Sequence, residues 1–272
     1  MPDSSSDCGE VTAPEWTIRF IGYYPVDERV DERLRRVCEE IANVPASALQ
    51  VDEDARVITV DYSQIRSWFD ASRERIHASR VNRVVVKPPW DDCETSGEDV
   101  VVEIDPGGVF GSGLHETTEF SLEAIQKHLQ PGESVVDFGT GSGVLAIAAA
   151  KLGASKVIAF DIAPEAVEAA TKNVRANGVD SILEVYDAAN APCPDSAFDL
   201  VIANVTEPTL IANACGFSRM LKSGGRLICA GFGTKQVATI QDSFEAAGFT
   251  IHDKLFLGDW VSLVATKAQA TD

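Results

Sequence analysis

The sequence lacks the cysteine spacing and the long apolar runs that mark several classes of protein. Its six cysteines are scattered and form no Cys-x-x-Cys pair, which argues against a zinc site or a disulfide framework. No window reaches the ~18 uninterrupted apolar residues of a membrane span. The N-terminal stretch MPDSSSDCGE has neither the basic nor the apolar part of a signal peptide. We therefore expect a cytoplasmic protein with no bound metal and no membrane contact.

Basic residues are also scarce. The chain has 23 Lys and Arg against 42 Asp and Glu, which gives a formal net charge of −19. So acidic a surface repels phosphate backbones, and we expect no direct binding of nucleic acid. The charge favours a basic partner, although solubility alone is an equally good reason for it.

The pattern of apolar residues divides the chain into two parts. We expect a small N-terminal α+β domain over 10–62, a helical linker over 63–80 and a larger domain over 81–268. In the small domain, the pattern predicts strand, helix and strand at 16–24, 27–41 and 56–61.

The larger domain alternates strands with helices. Strands are predicted at 81–90, 101–105, 134–138, 156–161, 182–187, 198–204 and 225–231, helices at 118–129, 144–152 and 164–176, and a closing hairpin at 249–267. This alternation indicates an α/β fold with a doubly wound, mostly parallel sheet, to which the hairpin adds an antiparallel edge.

The stretch VVDFGTGSG contains the strongest local signal for a ligand. Gly139, Gly141 and Gly143 follow a predicted strand and precede a helix, so the backbone there can approach a ligand closely. A dinucleotide fingerprint would have its third glycine at Val144. Asp161 ends the next strand, where a carboxylate suits the two hydroxyls of a ribose. We expect a nucleoside ligand, the alternative being a turn that is tight for packing alone.

The same region resembles the class I S-adenosylmethionine-dependent methyltransferases. The stretch from Val135 to Ala154, continued by VIAFDIAPEAVEAATKNVRANGV, carries the resemblance. It implies a Rossmann-like fold with a seven-stranded sheet, and S-adenosyl-L-methionine as cofactor. The glycine turn would lie against the methionine part and Asp161 would bind the ribose. By analogy within this class, Asp187 would lie near the adenine.

An upstream segment is similar to the signature of one family within that class, PrmA. The segment is IDPGGVFGSGLHETT at 104–118, and its only change within the family's F-G-T-G is Ser112. The PPW at 88–90 and Asp259-Trp260 match as well. PrmA methylates ribosomal protein eleven of the large subunit, and it has a small recognition domain where this chain has 10–62. The resemblance therefore implies a protein methyltransferase with a basic protein as partner, a ribosomal protein being the family's expectation.

The resemblance also implies a set of site residues. The expected cofactor-binding residues are Phe110, Thr118, Gly139, Gly141, Asp161, Asp187 and Asn204. Within the loop 105–118, the glycines and an apolar tip suggest a lid that closes over the cofactor.

The acceptor side is where the chain departs from the family. Asn204 matches, and as the catalytic residue it would orient the lone pair of an acceptor amine through its side-chain oxygen. Thr206 and Glu207 replace a Leu-Ala pair, which is either a neutral loop change or a sign of a changed acceptor. We expect both to bind substrate, together with His115. The last is either a general base or a residue that shapes the 110–118 loop.

Three functions remain compatible with the residues. The first is N-methylation of lysine side chains or α-amines of a protein. The second is methylation of a small molecule or of a different protein by the same domain. The third, a nucleoside-binding module without catalysis, is disfavoured because the glycines, Asp161 and Asn204 are all present.

Overall fold

The computed structural model describes residues 49–52, 57–60, 77–105 and 115–269, in two compact units that divide after Ile76. In the first unit, β1 (Leu49–Asp52) pairs antiparallel with β2 (Val57–Val60). This confirms the strand predicted at 56–61 and adds a partner that was not predicted. The strand at 16–24 and the helix at 27–41 lie outside the described residues.

The second unit opens with a three-stranded sheet of β3 (Ser79–Val81), β4 (Val84–Lys87) and β5 (Val100–Glu103). Two predictions are wrong here. The helical linker does not run to residue 80, and 81–90 is not one strand, because Asn82 makes a tight turn at φ 52°. Asparagine tolerates this left-handed conformation, and the buried valines of β4 gain a ladder partner on each side.

The centre of the second unit is a seven-stranded sheet. Its strands are β6 (Ser134–Phe138), β7 (Lys156–Asp161), β8 (Leu183–Asp187), β9 (Phe198–Asn204), β10 (Leu221–Gly233), β11 (Phe249–Leu257) and β12 (Trp260–Lys267). Their order is β11-β12-β10-β9-β6-β7-β8, and all pairs from β10 to β8 are parallel. β12 runs antiparallel to both of its neighbours. The predicted fold class and closing hairpin are confirmed.

The described residues of this unit form five α-helices: α1 (Glu116–His128), α2 (Val144–Lys151), α3 (Pro164–Ala176), α4 (Glu207–Met220) and α5 (Val237–Ala246). The last two were not predicted. One core cluster joins the sheet to α1, α2 and the end of α3, and a second joins it to α4 and α5. The sheet is therefore covered on both faces. No helix in the described part of the chain is long and apolar enough to span a membrane.

The order of the strands determines where a ligand can bind. From β6 the chain continues to β7 on one side, while β9 pairs with β6 on the other. The strand order thus reverses at β6. In open α/β sheets, ligands bind outside the carboxyl ends of the strands at the point where the strand order reverses. The ends of β6, β7, β8 and β9 carry Gly139, Asp161, Asp187 and Asn204.

Candidate active site

The glycine turn joins β6 to α2 and is fixed by the neighbouring strand. The backbone N–H groups of Gly139 and Thr140 both donate to the carbonyl oxygen of Phe160, at 3.0 Å each. Gly139 has φ 75°, and a Cβ there would lie 2.5 Å from Cγ1 of Val205. Only glycine fits this position, because a side chain would be strained and would collide with the residue that follows β9.

A buried acid, Asp137, forms a hydrogen bond with the glycine turn. Asp137 is 1% exposed, and its Oδ2 accepts a hydrogen bond of 2.7 Å from the hydroxyl of Thr140. Burial raises the pKa of Asp137 to about 7, against the lowering effect of the hydrogen bonds from Thr140 and the backbone of Ala146. The side chain contributes to the shape of the turn and does not reach its surface.

Asp161 lies at the end of β7, and backbone donors orient its carboxylate. Oδ2 accepts from the N–H of Gly141 at 2.9 Å, and Oδ1 accepts from the N–H of Ala163 at 3.0 Å. Each carboxylate oxygen can accept more than one hydrogen bond, so both can also receive vicinal hydroxyls. The structure brings the turn and this carboxylate together, as a ribose site requires.

The rim beyond Asp161 includes one predicted residue and one that was missed. Asp187 is the register partner of Asp161 on β8, and its carboxylate accepts a hydrogen bond from the N–H of Ala189 at 2.8 Å. Ile162 is 86% exposed, which is unusual for a large apolar side chain. Its place directly after Asp161 suits the face of a base. Ile162 stands out only by the exposed fraction of its side chain, which cannot be read from the sequence.

Two buried oxygen atoms at the site have no hydrogen-bond partner among the described residues. They are Oδ1 of Asn204, at the end of β9, and Oγ1 of Thr118, in the first turn of α1. An unsatisfied buried polar atom costs roughly 1–3 kcal/mol. These atoms therefore fit a ligand that brings hydrogen-bond donors, such as an amine.

His115 caps α1. Its Nδ1 accepts from the N–H of Thr117 at 3.3 Å and lies 2.8 Å from the hydroxyl oxygen of the same residue. The ring meets Trp260 edge-on, with 4.9 Å between the ring centroids. These contacts agree with the interpretation of His115 as a residue that shapes its loop. They provide no support for a general base.

The start of α4 carries the two residues that depart from the family. Thr206 is exposed, and its hydroxyl lies 3.1 Å from that of Thr209. Glu207 is partly buried, and its Oε2 accepts from Nε2 of Gln236 at 2.5 Å. The amide of Gln236 is itself fixed, because its Oε1 accepts from the N–H of Gly233 at 2.7 Å. The sequence offered no signal for Gln236, which is 29 positions from Glu207.

The remaining predicted residue, Phe110, lies outside the described residues, as does most of the proposed lid. The described site therefore consists of the glycine turn, two carboxylates, an unpaired amide oxygen and an oriented glutamate. This arrangement can hold a nucleoside at one end and a cationic group at the other.

Comparison with known proteins gives consistent matches. Residues 8–268 match the family described as "Ribosomal protein L11 methyltransferase (PrmA)". A ribosomal protein L11 methyltransferase of Bacillus cereus strain AH820 is 35% identical over 248 residues, which are 90% of this chain and 79% of that relative. The relative in Bacillus anthracis matches equally well. The crystal structure of a ribosomal protein L11 methylase from Lactobacillus delbrueckii subsp. bulgaricus superposes with a TM-score of 0.63 at 29% identity. It covers 71% of this chain and 100% of that one.

Proposed function

Because the chain belongs to the ribosomal protein L11 methyltransferase (PrmA) family, we propose that it methylates amino groups of ribosomal protein L11. The chain is an S-adenosylmethionine-dependent methyltransferase with a Rossmann-like fold. What is proposed is the acceptor and the role of each residue. The observation that carries the proposal is the buried Oδ1 of Asn204 at the end of β9, which has no hydrogen-bond partner in the described part of the chain.

The cofactor fits the described residues. The turn Gly139–Gly143 would hold its methionine part, Asp161 its ribose hydroxyls, and Ile162 with Asp187 its adenine. Thr118 adds a buried hydroxyl with no partner among the described residues. When bound, S-adenosylmethionine supplies a methyl group that its sulfonium already activates, so the protein need only align a nucleophile and exclude water.

The acceptor amine must be neutral when it reacts. A lysine amine has a reference pKa of about 10.4 and an α-amine one of about 8, so either gives up a proton first. Oδ1 of Asn204 can accept a hydrogen bond from the amine and thereby direct its lone pair. The amide of Asn204 is not a base, and Nδ1 of His115 is occupied in capping α1. We propose that the proton passes to solvent.

Glu207 would bind the acceptor while it is still an ammonium group. Nε2 of Gln236 donates to Oε2 of Glu207 at 2.5 Å, and Oε1 of Glu207 can accept a hydrogen bond from a cation. The net charge of −19 favours a basic protein over a neutral one. We propose that residues 10–62 supply the additional contacts that a protein substrate needs.

Methyl transfer to the purified proteins tests the proposal. The chain is incubated with methyl-labelled S-adenosylmethionine and ribosomal protein L11, and the product is mapped by mass spectrometry. We expect methylated amines on L11 and, with Asn204→Ala, a rate at least tenfold lower. Label on another protein of a ribosome-free lysate, but not on L11, would instead favour a changed acceptor, as Thr206-Glu207 suggests.

A further inference from the structure

Two asparagines, Asn173 on α3 and Asn177 at its C-cap, bind the backbone at the end of β5 and just beyond it as a neighbouring strand would. Oδ1 of Asn177 accepts from the N–H of Glu103 at 2.9 Å, and its Nδ2 donates to the carbonyl oxygen of Glu103 at 2.6 Å. Asn173 repeats this pattern two residues further on, with the N–H and carbonyl oxygen of Asp105 at 3.0 and 3.1 Å. Each amide thus replaces the neighbouring peptide group that a β-ladder would provide.

Asn173 makes one contact that Asn177 does not. Its Nδ2 also donates to the carbonyl oxygen of Ser142, in the glycine turn, at 2.9 Å. The second Nδ2 bond of Asn177 goes to the carbonyl oxygen of Asn173, within the helix. Asn173 is 3% exposed and Ser142 is fully buried, so water does not compete for this bond.

The turn also rests directly on the same helix face. Gly143 has φ 86°, and a Cβ on it would come within 3.3 Å of Cβ of Ala170. Ala170, Asn173 and Asn177 follow one another at helical spacing and face one side of α3. The helix therefore contacts the turn at Gly143 by packing and at Ser142 by a hydrogen bond.

We infer that Asn173 is a positioning residue for the cofactor, because it ties the glycine turn at Ser142 to Asp105, two residues beyond the end of β5. The inference rests on the proposed function, in which the turn 139–143 holds S-adenosylmethionine. Because Asn173 is buried, it would not contact cofactor or acceptor itself and would act by fixing the backbone of the turn. Asn177 uses the same chemistry on β5 without contacting the turn, and it is thus a matched control.

The experiment compares Asn173→Asp with Asn177→Asp in the full chain. A carboxylate keeps the acceptor oxygen but cannot donate, so each variant loses its bonds to carbonyl groups. For Asn173→Asp we expect an affinity for S-adenosylmethionine about tenfold weaker by calorimetry. Without cofactor, we also expect faster amide exchange in 139–143. For Asn177→Asp we expect a lower melting temperature, an affinity within twofold of the wild type and unchanged exchange in the turn.

Equal effects of the two variants on affinity, or wild-type exchange in the turn of Asn173→Asp, would overturn the inference. If Asn173→Asp fails to fold, Asn173→Ser is the second variant. A small hydroxyl avoids a buried charge but is too short to bridge Asp105 and Ser142. Failure of the wild type to bind S-adenosylmethionine would contradict the proposed function instead. The exchange result without cofactor would still decide whether Asn173 holds the turn.

Discussion

Asp161 has two tasks that a single substitution would remove together. Its carboxylate accepts from the backbone at Gly141 and at Ala163, and the same two oxygens are the expected partners of the ribose. An acid that is already oriented loses little further freedom when it binds a ligand. On the proposed function, the acceptor for the ribose hydroxyls is therefore already oriented before the cofactor binds.

Asp161→Ala should weaken binding of S-adenosylmethionine. The lost hydrogen bonds to a charged group are worth roughly 1.5–3 kcal/mol, or about a tenfold to hundredfold weaker affinity. Calorimetry on the wild type and the variant measures this. Asp180→Ala, which removes an exposed acid just beyond α3, is the control and should bind as the wild type does. Equal affinities of Asp161→Ala and the wild type would remove the ribose role.

Asp137 makes stability depend on pH. Its pKa is raised by burial from 3.8 to about 7, so folding takes up a proton and the free energy of unfolding falls as the pH rises through this window. The amide introduced by Asp137→Asn cannot ionise but can still accept from Thr140. The stability of this variant relative to the wild type should therefore increase by about 2–3 kcal/mol from pH 5 to pH 8. Urea unfolding at both values measures it. A difference that does not change with pH would mean that Asp137 is ionised without penalty.

At the scale of secondary structure, the side chain of Gln236 links the start of α4 to the end of β10 by hydrogen bonds. The hydrogen bond from Gly233 fixes which end of the Gln236 amide is the donor, and that donor meets Glu207. Because Gln236 lies in the short 3-10 turn Thr234–Gln236, the orientation of Glu207 depends on an element distant in sequence.

Gln236→Ala should raise the KM for the protein acceptor roughly fivefold, since a net hydrogen bond is worth about 1 kcal/mol. The affinity for S-adenosylmethionine should stay within twofold. Glu207→Ala should give at least as large an increase, and the double variant should match Glu207→Ala, because Gln236 acts through Glu207. Additive effects in this double-mutant cycle would show that Gln236 contacts the acceptor independently.

The elements that the sequence predicted best are those whose signals are local. α3 was predicted at its full length because Pro164 starts it and Asn177-Gly178 ends it. α4 and α5 were missed, although both bury an apolar stripe in the second core cluster. Gln236 and Asn173 could not be assigned from sequence, since their hydrogen bonds join segments that are 29 to 68 positions apart. The one available sign of a role for Asn173 was its position: it is a polar residue between Ala170 and Val174, within the buried stripe of α3.

At the scale of the whole molecule, the chain divides after Ile76 into two units. The N-terminal segment, residues 1–76, is the first of them. Every described residue of the cofactor site lies in the unit that begins at His77, while the family match extends back to residue 8. The N-terminal segment is therefore part of what the family shares. We propose that its task is recognition of the protein substrate.

A chain that begins at His77 should bind S-adenosylmethionine with an affinity within about threefold of the full chain, because it retains the glycine turn, Asp161 and both core clusters. Its rate of methyl transfer to a protein acceptor should fall by at least a hundredfold, since remote docking contacts supply the energy that aligns the amine.

The full-length Asn204→Ala variant is the matched control. It should still bind the acceptor protein but transfer slowly, with cofactor affinity only modestly reduced. Calorimetry with the cofactor, pull-down with the acceptor and initial rates separate these outcomes. Undiminished transfer to the protein by the shortened chain would show that residues 10–62 do not recognise it, and methylation of a small molecule would become the better explanation.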